Sequence, residues 1–133
     1  MPTCLIIDSS EIICKVATAI LETMDYSVTS TGDLLQAQQI CTKSMPDVII
    51  VDRYLPDADS HDVIRSLRTN DEKKQPYIFY CTTENEPIDI DQALSCGADD
   101  YILKPFDRAA LEAKFSNIAI AKPSQPAKAP ALN

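Results

Sequence analysis

A chain of 133 residues is long enough for one domain with a sizeable core, and its net charge of −8 narrows the partners it can take. Lys122 and Lys128 are the only charges in the last fifteen residues, so the rest of the chain carries −10; that excess disfavours DNA and favours a protein or a cation. No apolar run can span a membrane and Thr3 leads almost at once into an apolar stretch, so the expectation is a cytoplasmic protein with no signal peptide and no membrane insertion.

Thr3–Ile7 reads as a short buried strand closed by Asp8. From Ser10 the period changes: Ile12, Ile13, Val16, Ala17, Ile20, Leu21 and Met24 recur at helical spacing behind three good capping residues, Asp8, Ser9 and Ser10. Tyr26 to Ser30 reads as a second strand, Gly32 as a turn, and Asp33 as the cap of a helix ending near Lys43. Four β-formers in a row, Val48 to Val51, predict a strand buried on both faces and closed by Asp52. After the loop Arg53 to Ser60, Val63, Ile64 and Leu67 mark a helix over about His61 to Thr69, and Asn70 to Gln75 form a charged loop. Tyr77 to Cys81 is a fourth strand followed by the polar loop Thr82 to Glu86. Pro87 then opens a helix that Gly97 ends. Tyr101-Ile102-Leu103 is a fifth strand closed by Lys104-Pro105, and a last helix runs from about Asp107 to Ala119. The domain is expected to end at residue 119, with 120–133 a disordered tail rich in Pro, Ala and Lys. Five scattered cysteines without a Cys-x-x-Cys pair read as reduced thiols filling the core.

Strand and helix thus alternate five times, which implies an α/β fold with a parallel sheet covered by helices on both faces. In such a sheet the carboxyl ends lie on one edge, and there the sequence places Asp8, Asp52, Thr82 and Lys104. Two carboxylates in one cleft repel and call for a cation, for which hard oxygen donors favour Mg²⁺. Asp52 can then attack phosphorus as a carboxylate nucleophile, with the metal, the Lys104 ammonium and the Thr82 hydroxyl stabilising the phosphoryl oxygens. The plainer reading makes Asp8, Asp52 and Thr82 turn or cap residues and Lys104 a surface lysine. All four at one edge argue against coincidence.

The chain resembles the CheY-like receiver domains of two-component response regulators over about Thr3 to Ile118. The resemblance rests on Leu5-Ile6-Ile7-Asp8, on Asp47 to Pro56 around Asp52, on Cys81-Thr82-Thr83-Glu84-Asn85, and most specifically on Gly97 to Asp107 with its Lys104-Pro105-Phe106. The wording is most similar to chemotaxis-type single-domain regulators of alphaproteobacteria. The resemblance implies a flavodoxin-like (βα)5 fold, doubly wound, with strand order 2-1-3-4-5. It implies that Asp52 takes a phosphoryl group from a sensor histidine kinase, with Mg²⁺ held by Asp8, Asp52 and the Tyr54 backbone carbonyl. Thr82 and Tyr101 would then reorient, and the face of the fourth helix, fifth strand and fifth helix would change its affinity for a protein target. Such a protein is a phosphorylated regulator rather than an enzyme, here expected to be monomeric and, with no output domain in the sequence, to stand alone.

Two departures stand out. The family has two consecutive acids after the first strand, whereas here Ser9 follows Asp8, a weak or water-mediated ligand unless Glu11 reaches the ion. The family's Asp-Gly before the third helix is Asp59-Ser60 here, and His61, the only histidine, reads as a solvated residue at the helix start. Ser9 keeps a second reading open, a pseudo-receiver that binds partners without phosphorylation. An Asp-nucleophile phosphatase wants a second acid where Tyr54 stands, and a flavin-binding loop would meet repulsion from Asp8.

Overall fold

The computed structural model describes residues 1–68 and 74–118, so the expected tail and most of the Asn70 to Gln75 loop lie outside the described residues. Five strands, β1 (Thr3–Ile7), β2 (Ser27–Thr31), β3 (Val48–Asp52), β4 (Tyr77–Thr82) and β5 (Asp100–Leu103), form one sheet. Between and after them run α1 (Glu11–Glu22), α2 (Leu34–Lys43), α3 (Ser60–Leu67), α4 (Pro87–Cys96) and α5 (Arg108–Phe115). All four strand pairings are parallel and the order is 2-1-3-4-5, the doubly wound arrangement expected.

Strand alternation divides the core in two. Cys4, Ile6, Ile50, Phe79 and Cys81 point to the layer of α1 and α5, where Ala17, Leu21, Leu111 and Phe115 meet them. Leu5, Ile7, Ile49, Val51, Ile78 and Tyr80 point the other way, onto Ala37 of α2, Val63 and Ile64 of α3, and Ala93 of α4. With helices on both sides, every residue of β3 is buried, which is why this strand reads as an unbroken apolar run. The helical spacing of α1 marks an amphipathic helix but not its inner stripe. Cys14, Ala17, Ile20 and Leu21 are buried, while Ile12 and Val16, one turn apart on the neighbouring stripe, face solvent.

Caps set the helix starts. The Ser10 side chain accepts from the Ile13 amide at 3.3 Å, so Ser10, and neither Asp8 nor Ser9, caps α1. Asp33, Asp59 and Asp107 cap α2, α3 and α5 through their carboxylates. A feature absent from the sequence reading is a two-residue hairpin, Tyr54–Leu55 against Ala58–Asp59, that turns the chain from β3 into α3.

Gly97 ends α4 with φ at +130°, where side chains are strained, and a Cβ there would lie 2.5 Å from Arg68 Cγ. Arg68 closes the same corner: its Nε donates to the Gly97 carbonyl at 2.8 Å and its guanidinium pairs with Asp99. Gly97→Ala is therefore expected to cost about 1–3 kcal/mol in urea denaturation; an unchanged midpoint would show that the corner relaxes freely.

Candidate functional site

The register of the sheet brings the strand ends to one level. Ile7 lies beside Val51, Asp52 beside Cys81, and Thr82 beside Leu103, so Asp8, Asp52, Thr82 and Lys104 share the carboxyl edge. Two backbone bonds tie this edge together: the Arg53 amide donates to the Cys81 carbonyl and the Lys104 amide to the Thr82 carbonyl, each at 2.8 Å. Asp8 is 4 % exposed, Asp52 6 % and Thr82 1 %.

Lys104 joins the two acids. Its Nζ lies 2.9 Å from Asp8 Oδ2 and 2.6 Å from Asp52 Oδ1. The remaining oxygens accept backbone amides, Asp8 Oδ1 from Ser10 at 2.8 Å and Asp52 Oδ2 from Tyr54 at 3.2 Å. Burial pushes Asp52 up from the usual carboxylate range; Lys104 opposes this and the charge of Asp8 adds to it, with a net upward shift. For Lys104, burial acts downward, but hydrogen bonds to both carboxylates outweigh it and hold the ammonium above its ordinary value. The pairing thus favours the charged form on both sides, but at Asp52 burial and the charge of Asp8 outweigh it. Lys104 faces two carboxylates, whose hydrogen bonds together exceed its own burial cost.

The other expected residues stand further out. Thr82 Oγ1 accepts the Glu84 amide at 3.1 Å, which anchors the loop after β4. Tyr101 is half-buried on β5, packed against the core layer of α2, α3 and α4, with Lys114 Nζ of α5 3.9 Å from its ring centroid. Ser9 and Glu11 are exposed. Together with Asp8 they line a cleft of about 830 Å³ between α1 and the end of β2; Asp52, Thr82 and Lys104 are not part of its lining, so this cleft lies beside the acid pocket. Gly32 brings the turn after β2 close to it, since a Cβ there would stand 3.0 Å from Ser9 Cα.

His61 corrects one expectation. Its side chain is 20 % exposed rather than solvated, because the ring packs on Tyr80 at 5.4 Å and puts Nε2 3.4 Å from Asp89 Oδ1 without a hydrogen bond. The same Asp89 accepts from the Tyr80 hydroxyl at 2.8 Å.

Sequence reasoning also missed a latch between the loops after β3 and β4. Arg53 reaches Glu84 at 3.3 Å and Glu86 and Asp89 at 3.2 Å, while Tyr54 donates its hydroxyl to Glu84 at 3.0 Å. The signal was present as a cation just after Asp52 and three acids after Thr82. Without the sheet order there was no reason to pair them.

Two buried carboxylates on one edge are hard oxygen donors of the kind that suit Mg²⁺.

A doubly wound sheet that buries acids at the ends of its first and third strands, bridged by a lysine after the fifth, is the build of a regulatory receiver. The chain belongs to the response regulator receiver domain family, whose model matches residues 4–116. It is 33% identical over 107 residues, 80% of this chain, to the DNA-binding dual master transcriptional regulator RpaA of Synechocystis sp.. It is also 33% identical over 101 residues, 74% of the chain, to the two-component response regulator ORR7 of Oryza sativa subsp. japonica. The chain spans about half the length of the curated relatives it matches, 44% and 48% of these two. Among solved structures, chemotaxis response regulator CheY4 of Vibrio cholerae superposes with a TM-score of 0.81 at 26% identity, covering 87% of this chain and 97% of that one. The receiver domain of sensor histidine kinase PA1611 from Pseudomonas aeruginosa, with a magnesium ion coordinated in its active-site cleft, gives 0.76 at 27% identity, covering 86% and 94%.

Proposed function

We propose that Asp52 accepts a phosphoryl group from the phosphohistidine of a sensor histidine kinase and that the modification changes how the α4, β5 and α5 face binds a protein target. The observation that carries this reading is the Lys104 ammonium lying between two buried carboxylates at the sheet's carboxyl edge. An Asp52 oxygen attacks phosphorus as the P–N bond to the donor imidazole breaks, and the imidazole leaves with the bonding electrons. Lys104 then faces the added phosphoryl oxygens, and Thr82, buried at the end of the adjacent strand, has the hydroxyl to follow them. Asp8, Asp52 and the Tyr54 carbonyl would hold Mg²⁺, with Ser9 and Glu11 at the rim; when bound, the ion offsets charge between the carboxylates and the phosphoryl oxygens.

A protein target suits α4 because its Ile88 and Leu94 are exposed and apolar, Ile88 at the groove toward α3. Tyr101 stands on β5 between the helices of this face, with Lys114 of α5 against its ring, where a shift of the ring would alter the surface. The acidic excess supports a protein rather than DNA as the direct partner, and the likeness to chemotaxis response regulator CheY4 supports motility as the process. Ser9, neutral beside the acid pair, favours the second reading of an interaction module that works unphosphorylated.

Intact mass spectrometry after incubation with a small phosphodonor and Mg²⁺ separates the two. The expected result is a gain of one phosphoryl group that Asp52→Asn abolishes. No gain at saturating Mg²⁺ would sink the phosphoacceptor reading and leave the interaction module.

A further inference from the structure

We propose that the groove between α3 and α4 docks a basic segment of a partner protein, which lays an aliphatic side chain against Ile88 and sets lysines or arginines along an acidic rim. The groove lies on the α3 side of α4. It is a surface additional to the α4, β5 and α5 face, and it stands whether or not Asp52 is phosphorylated.

Ile88 is 75 % exposed in the first turn of α4, beside Pro87, which is exposed too. Two hollows adjoin it. One of about 500 Å³ lies between the helices, with His61 and Arg65 of α3 on one wall and Asp91, Gln92 and Cys96 of α4 on the other. The second, of about 580 Å³, runs on to Arg53 and Glu86. Both are lined by Ile88 and Gln92, so they join into one trough with an aliphatic ridge in its middle. A large apolar side chain left in water at such a junction gives a partner an anchor to cover.

The walls are set before anything binds. Arg65 donates to Asp62 at 2.7 Å and to Cys96 Sγ at 3.0 Å, which ties α3 to α4 along the groove. His61 packs on Tyr80, and Arg53 is held by Glu84, Glu86 and Asp89. A preformed groove spares a partner the cost of ordering it.

Charge selects the occupant. Asp62, Glu84, Glu86, Asp89 and Asp91 surround the trough against Arg53 and Arg65, an excess of three acids. Both arginines are already engaged by these acids, and Asp91 is exposed on the rim. Nucleic acid and anionic lipid bring the wrong sign, and a second copy of this chain, itself at −8, would set acids against acids. A segment with basic residues around an aliphatic one matches both the ridge and the rim.

Amide NMR of the ¹⁵N-labelled full chain tests this with a short synthetic peptide of lysine and isoleucine, and with its counterpart in which glutamate replaces lysine. The lysine peptide is expected to shift His61, Arg65, Ile88 and Gln92 saturably, and the glutamate peptide to leave them in place. Ile88→Ser should weaken binding by about tenfold, the scale of losing a buried aliphatic contact. Leu94→Ser also removes an exposed apolar side chain from α4, but Leu94 does not line the trough, so this variant should bind as the wild type does. Glu86→Gln combined with Asp91→Asn should weaken binding and flatten its dependence on salt. Unmoved amides in β3 and β4 show that each variant keeps its fold. Equal affinity of Ile88→Ser and wild type, binding of the glutamate peptide, or shifts that spread over the surface without saturating overturn the proposal. Shifts at Ile88 and Gln92 in a Lys122→Glu, Lys128→Glu double variant with no peptide added would assign the trough to the chain's own residues 119–133, and that result overturns it as well.

Discussion

Lys104→Met is expected to lower stability at neutral pH by about 3 kcal/mol, the scale of leaving buried charges without their partner. The substitution keeps the length of the side chain but removes the only cation within reach of Asp8 and Asp52 in the described ion pairs. Lys104 is held above its ordinary 10.5 in the folded protein, so its contribution is fully present below 10.5 and is lost as pH rises through the folded value. Asp52, pushed above 3.8 by burial and by Asp8 against the pull of Lys104, is the opposite case. Its contribution is present below 3.8 and is lost as pH rises through its own folded value, so at neutral pH the ionised acid opposes folding. Removing Lys104 takes away the interaction that draws Asp52 down and leaves that opposition unrelieved. The deficit of the variant should therefore be largest near neutrality and shrink as pH falls through the carboxylate range. Urea denaturation at about pH 7 and about pH 4.5 measures this; an equal deficit at both would show that the loss is one of packing rather than charge. On the proposed function, phosphoryl uptake by Asp52 should also fall by about a hundredfold, since a preorganised cation facing the phosphoryl oxygens is lost.

Phe79→Ala is expected to cost about 3–5 kcal/mol, the range for emptying a fully buried aromatic site. Phe79 lies on β4 with no exposed surface and stacks on Phe115 of α5 at 5.0 Å, and Phe115 in turn meets the edge of Tyr26 at 5.2 Å. The aromatic row joins the sheet to α5, so the loss should concentrate there. Amide exchange should speed up in α5 more than in α2, which packs on the opposite face. Uniform acceleration in both helices would show that α5 is held by other contacts, Leu111 foremost.

The architecture was readable because its signals are local. Val48 to Val51 is apolar without alternation since helices cover both faces of β3, and Pro87 and Gly97 bracket α4 by backbone chemistry alone. The acids and the lysine of the edge were readable too, since a parallel sheet puts every carboxyl end on one side. What stayed hidden depends on side-chain direction between elements far apart in sequence. Ile12 and Val16 share the spacing of the buried residues of α1 and yet face water, as only the packed position of the helix decides which stripe is covered. His61 reads as a polar residue at a helix start until Tyr80 and Asp89 are seen to enclose it.

Residue type and spacing by themselves determined the class of the fold and the residues at its carboxyl edge. Periodicity, caps and breakers act within a few residues, so a single chain carries them openly. Only the tertiary structure decided that Lys104 bridges Asp8 and Asp52 across 96 and 52 residues of sequence, and that Arg53 and Tyr54 latch onto Glu84, Glu86 and Asp89. Such pairings follow from strand order and register, which set distances that no local pattern encodes.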